Sequence, residues 1–146
     1  MKYLLLPIML LAGCGDYPRD IEGTLGRIET RGTIAVGIIA GAGDHADRPK
    51  IEAYLSRVAQ ATRAQPRLIV DAAEPLLLRL EGGELDLVIG EVAADTPWKT
   101  DVAILEPITT RPIGDTDISL SPIARNGENR WIMLLERELR DMQEGG

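Results

Sequence analysis

The sequence predicts a three-layer α/β sandwich, with a mostly parallel sheet of about five strands and helices on both faces. Two observations predict it. Short aliphatic runs bounded by glycine or proline recur at 33–39, 67–71, 85–89 and 102–105, as expected of strands covered on both faces. Between the first three runs lie stretches with apolar residues at helical spacing. Strand and helix therefore alternate, which implies parallel crossovers.

The elements follow in order. Ile21, Leu25 and Ile28 recur at helical spacing, and Gly32 closes that first helix. Residues 33–39 form the first strand. Residues 40–48 are a loop holding two glycines, Asp44 and the single His45. Asp47 is placed to cap the next helix, with Pro49 in its first turn. Ile51, Tyr54, Leu55, Val58 and Ala61 make its apolar stripe. After Pro66, residues 67–71 form the second strand. Pro75 opens a short helix carrying Leu76, Leu77 and Leu80, which Gly82 and Gly83 stop.

Residues 85–89 form the third strand, and the loop behind it holds Glu91, Thr96, Pro97, Trp98 and Lys99. Residues 102–105 form a fourth strand ended by Pro107. Residues 109–116 read as a linker. A weaker strand follows at 118–124, where Pro122 implies an edge or a bulge. Asn126 is placed to cap a last helix whose apolar face is Trp131, Leu134, Leu135, Leu139 and Met142. Residues 143–146 are a tail. Phenylalanine is absent, so the core is aliphatic.

The start of the chain reads differently. Met1-Lys2 is a short positive start and residues 3–11 are apolar, too few to span a bilayer and typical of a signal-peptide core. They lead into Leu11-Ala12-Gly13-Cys14, with the only cysteine in the chain behind two small residues. This stretch resembles the lipobox of bacterial lipoproteins. The resemblance implies a signal peptide at 1–13, a lipid on Cys14, a tether at 14–20 and one globular body at 21–142. A single cysteine excludes an intramolecular disulfide. The formal net charge of −7 argues against nucleic acid or an anionic membrane surface as partner. Membrane attachment would come through the lipid.

Four segments of the body resemble the extracytoplasmic solute-binding proteins of the amino-acid-binding type, which serve ABC importers and have two lobes. IETRGTIAVG at 28–37 is similar to their opening helix and first strand. LEGGELDLVIG at 80–90 is similar to the lead into their third strand. DTPWKTDVAILEP at 95–107 resembles the loop and fourth strand that end lobe one. NGENRWIMLLEREL at 126–139 resembles the helix with which the chain returns to that lobe. The resemblance implies lobe one of such a protein, with residues 108–119 standing where the second lobe would be. It also implies a bacterial cell-envelope location on the periplasmic side and a small polar solute, such as an amino acid, as ligand. The partner would be an ABC permease, another envelope protein or a second copy of the chain, docked on the face that the missing lobe leaves open. The alternative is a degenerate lobe that docks on an envelope protein and binds no solute.

In an open α/β sheet, ligands bind at the carboxyl edge of the strands. The ligand-binding candidates are therefore Asp44, Glu91, Thr96, Trp98 and Lys99. In the resembled family, a Thr and an Arg after strand three grip the solute's α-carboxylate. Thr96 matches the Thr, while Lys99 stands where the Arg would be and lacks its bidentate fork. Glu91 suits an ammonium group. The bland alternative for this group is a solvated rim, and for Trp98 a plug over the sheet end.

Residues 41–46 also fit G-x-G-x-x-A, with Asp71 as a ribose-binding acid. Asp44 would point a negative charge at the pyrophosphate, and Pro49 starts the helix too late, so a plain glycine loop is the better reading. His45 has no second His or free Cys to build a metal cluster or a triad. No catalytic residues, no metal and no cofactor are expected.

Overall fold

The computed structural model describes residues 19–43, 46–93 and 96–145. The segment carrying the signal-peptide and lipidation expectations, Cys14 included, lies outside those residues, as do Asp44 and His45. In chain order the elements are α1 (Thr24–Arg31), β1 (Thr33–Ile39), α2 (Arg48–Thr62), β2 (Gln65–Asp71), α3 (Ala73–Glu81), β3 (Leu87–Val92), a 3₁₀ turn (Pro97–Thr100), β4 (Val102–Ile104), β5 (Thr109–Ile113), β6 (Thr116–Arg125) and α4 (Asn129–Glu144).

One sheet joins the six strands in the order β2-β1-β3-β6-β4, with β5 also on β6. β1 runs parallel to β2 and β3. β6 runs antiparallel to β3, β4 and β5. The sheet is therefore mixed, which corrects the expectation of a mostly parallel one. The cause is the stretch read as a linker. Residues 109–116 form β5 and a two-residue turn at Gly114 and Asp115, so the chain reverses into β6 instead of crossing over. Gly114 takes φ 62° at the first central position, where a II′ hairpin turn needs glycine.

Pro122 lies in the interior of the sheet, paired with Ile89 of β3. Its carbonyl accepts from the Leu105 amide at 3.0 Å, so its proton-less nitrogen faces the same side. There residues 105–108 connect β4 to β5, so Pro122 faces the gap between two strands, and neither the edge nor the bulge expected at Pro122 is found.

Alternation along β1 divides the core. Ile34 and Val36 are buried under α1, α2 and α4 with Ile28, Tyr54, Val58, Leu87, Ile89, Trp131 and Leu135. On the opposite face, Leu76, Leu77 and Leu80 of α3 cover Val88 and Ile123. A Cβ on Gly37 would stand 3.0 Å from Leu76 Cδ2 and Leu85 Cδ1, so glycine lets α3 sit this close. Trp131 is fully buried, and its indole N–H donates to the Asp86 carbonyl at 2.7 Å.

Side chains predicted as caps are used elsewhere. The Asp47 side chain accepts from the Thr109 hydroxyl at 3.1 Å, while its carbonyl takes the α2 amides of Lys50 and Ile51. Asn126 donates to the Thr100 carbonyl at 3.0 Å and caps nothing. Two carboxylates serve the helix starts instead. Glu128 accepts from the Glu22 and Thr24 amides at 2.7 and 2.8 Å. Asp20 accepts from Leu25 of α1 and Trp131 of α4, both at 2.9 Å. Helices far apart in sequence are thereby tied at their amino ends. Ile21, expected in the first helical stripe, precedes α1 and is 75% exposed.

Candidate functional site at the carboxyl edge of the sheet

β1 and β3 are neighbours in the sheet, as the proposed site requires. β1 ends at Ile39, and the chain turns through Gly41 (φ 81°) and Gly43 (φ 70°). The Ala40 amide donates to the Asp71 carbonyl at 2.8 Å, which fixes the start of this loop against β2. A Cβ on Gly43 would meet Asp47 Cβ at 3.1 Å, so glycine allows the loop to lie on the start of α2.

β3 does not stop at Gly90 but runs on through Glu91 and Val92. Glu91 is therefore a strand residue, held more firmly than a loop residue would be. Its Oε1 accepts from the Gly43 amide at 3.0 Å. The same oxygen forms an ion pair with Arg111 of β5. The two side chains are about a quarter and a third exposed, so the pair is open to a ligand and partly shielded from water. The Thr109–Asp47 hydrogen bond ties the same strand to the start of α2. Four segments thus meet at one point: the β1 loop, the start of α2, the end of β3 and the hairpin strand β5.

Arg111 was not among the sequence candidates, because it lies in the stretch read as a linker. A signal was present: it is the only basic residue between Lys99 and Arg125. The hairpin brings it to the edge because β6 pairs Ser119 with Val92 at the carboxyl end of β3, while Ile118 pairs with Arg111.

The remaining candidates sit in the loop beyond β3. Thr96 is half-buried at the head of the 3₁₀ turn, and its amide donates to the Ala93 carbonyl at 3.2 Å. Lys99 is exposed. Among the described residues, neither side chain is hydrogen-bonded to Glu91 or Arg111. Trp98 is half-buried and packs against the cluster of Leu76, Leu80 and Ile123 under α3, in keeping with a plug at the sheet end.

Beside the Glu91–Arg111 pair, a groove of about 470 Å³ runs between α2 and β2. Ile38, Ile51, Leu55, Leu68 and Val70 make its apolar floor, and Gly43 belongs to both groove and pair. No cluster of three or more metal-ligating side chains occurs among the described residues. No helix among them is long and apolar enough to cross a membrane.

No protein-family model and no curated protein matches the chain. Solved structures do. A point mutant of domain 1 from TmArgBP, in its arginine-bound form, matches with a TM-score of 0.68 and 16% identity, over 82% of this chain and 98% of that one. An ancestral amino acid-binding protein, a precursor of cyclohexadienyl dehydratase, matches at 0.67 with 13% identity, over 83% and 93%. The unliganded, open L-cystine solute receptor of Neisseria gonorrhoeae matches at 0.63 with 10% identity, over 84% and 92%. At these identities the likeness is one of fold: the chain shares the architecture of these domains.

Proposed function

We propose that this chain is a lipid-anchored, extracytoplasmic, solute-binding-like protein associated with ABC-type uptake of amino acids or similar small polar solutes. The signal peptide at 1–13 and lipid on Cys14 are part of this reading. So is a periplasmic-side location in the bacterial cell envelope. The observation that carries it is the Glu91–Arg111 pair at the carboxyl edge of β3. An acid and a base share one oxygen contact there, beside the Gly43 amide. A zwitterion entering between them would present its ammonium group to Glu91 and its carboxylate to Arg111, whose planar fork suits a carboxylate. Thr96 and Lys99 would flank the solute from the loop beyond. Support comes from the arginine-bound form of the TmArgBP domain, a single domain with a ligand. One neighbour is the precursor of a dehydratase, so the non-catalytic reading rests on the site and not on the fold.

The pairing of Glu91 with Arg111 also favours a second reading. Each charge already has a partner, as in a degenerate lobe that docks on an envelope protein without solute.

A thermal-shift screen of the full chain against amino acids and other small polar solutes separates the two readings. Solute at about a hundred times its dissociation constant adds roughly 2.7 kcal/mol, which raises the melting point by several degrees. Arg111→Ala and Glu91→Gln should each abolish that shift, and Thr96→Ala or Lys99→Ala should weaken it. A cooperative melt unmoved by the whole panel would eliminate the solute binder in favour of the docking module.

A further inference from the structure

β2 pairs with β1 on one side and forms an edge of the sheet on the other. Its consecutive residues Leu68, Ile69 and Val70 are 57%, 37% and 67% exposed. The direction of its backbone groups follows from two hydrogen bonds. The Gln65 amide donates to Gly32 O at 3.0 Å, and Asp71 O accepts from Ala40 at 2.8 Å. Gln65 and Asp71 thus face β1, and by alternation so do Arg67 and Ile69. Leu68 and Val70 turn their N–H and C=O groups outward. Soluble proteins block such edges with charge, proline or bulges. Here Pro66 removes only the first outward amide.

We propose that a second copy of the chain covers this edge. Two β2 strands pair antiparallel about a two-fold axis at Ile69 and join two sheets into one. The sequence Arg67-Leu68-Ile69-Val70-Asp71 is complementary to itself about that axis. Arg67 stands opposite the partner's Asp71, Leu68 opposite the partner's Val70, and Ile69 opposite itself. The register also fits the backbone. Leu68 exchanges both hydrogen bonds with the partner's Val70, and Val70 does the same with the partner's Leu68, while Ile69 is the non-hydrogen-bonded pair between them.

The faces agree as well. Leu68 and Val70 lie in register with Val36 and Ile38 on the α2 side, and Arg67 and Asp71 lie with Ala35 and Ile39 on the α3 side. Shifting the axis to Leu68 or Val70 would set Arg67 or Asp71 opposite Ile69, so only the axis at Ile69 pairs both charges. The contact is isologous, as closed dimers require. On the α2 side, the partner's Leu68 and Val70 continue the apolar floor of the open groove.

Sedimentation velocity of the full chain over a wide concentration range tests this. The wild type should dimerise reversibly. Arg67→Asp and Asp71→Arg should each weaken the dimer by about tenfold, because each dimer then loses two opposite-charge pairs and gains two like-charge ones. The doubly exchanged variant restores the pairs and should restore the dimer. Val70→Pro deletes an outward N–H without touching the β1 ladder, and should reduce dimerisation with an unchanged circular dichroism spectrum. A wild type that stays monomeric would overturn the proposal. So would a dimer indifferent to both single reversals, which would place its contact on another surface.

Discussion

Glu128 takes the place of a cap for a helix more than a hundred residues away in the chain. It is fully buried and holds the Glu22 and Thr24 amides. Burial alone would raise its carboxyl pKa, but the Glu22 and Thr24 hydrogen bonds and the Arg27 charge outweigh burial and lower it. Glu128→Ala leaves two amides without acceptors, so it should cost about 2–4 kcal/mol, read as a shift in the urea midpoint. The pH dependence has a definite sign. A carboxyl whose folded pKa lies below its unfolded one stabilises fully above the unfolded value, ordinarily 4.5. That contribution is lost as pH falls through the folded pKa. The variant should therefore lose less stability on acidification than the wild type. Asp86 acts in the opposite sense, because burial raises its pKa despite the Ala35 amide and Arg31. None of this was legible in the sequence, where Asn126 reads as the cap of the last helix and no acceptor is assigned to the first. Which carboxylate meets which amide is decided by how α1 and α4 pack, and that is long-range information.

At the scale of elements, legibility follows locality. α2, α3 and α4 were readable because each buries one periodic apolar face, and β1 and β3 because each is a short aliphatic run covered on both faces. β5 was not, because Thr109-Thr110-Arg111-Pro112-Ile113 alternates half-exposed with exposed residues and contains proline. The direction of β6 depends on its connection, a tight turn, and not on its own residues. The same gap hid Arg111, since a residue in an unrecognised strand cannot be placed at a site. The turn is open to test. Gly114→Val forces a β-branched residue into positive φ and should destabilise the hairpin by about 1 kcal/mol or more. Solute affinity should fall with it, because β5 delivers Arg111, while the helical circular dichroism stays. Gly90→Ala attacks the other side of the site. Its Cβ would lie 2.2 Å from Ile39 Cδ1 and 2.7 Å from Cγ1. Ile39 must move, the loop behind it shifts, and the cost should be about 1–3 kcal/mol of stability, seen in a thermal melt.

At the scale of the molecule, the fold is one lobe, and a solute held as proposed on its carboxyl edge would keep a side in water. A closed cleft buries most of its ligand; this surface does not. Under the proposed function, recognition by Glu91 and Arg111 would take place between charges that salt can reach. Solute affinity should fall severalfold when ionic strength rises from about 0.05 to 0.5 M, over which the screening length shrinks from above 10 Å to below 5 Å. A neutral osmolyte at equal osmolality should leave it unchanged, and isothermal titration of the full chain would show both. The net charge of −7 adds a direction: screening relieves repulsion of anionic solutes and removes attraction for cationic ones, so cationic solutes should lose the most. If affinity instead ignores salt, the solute is held by apolar contact in the groove between α2 and β2. Arg111→Ala would then leave binding intact, while Leu55→Asp would remove it.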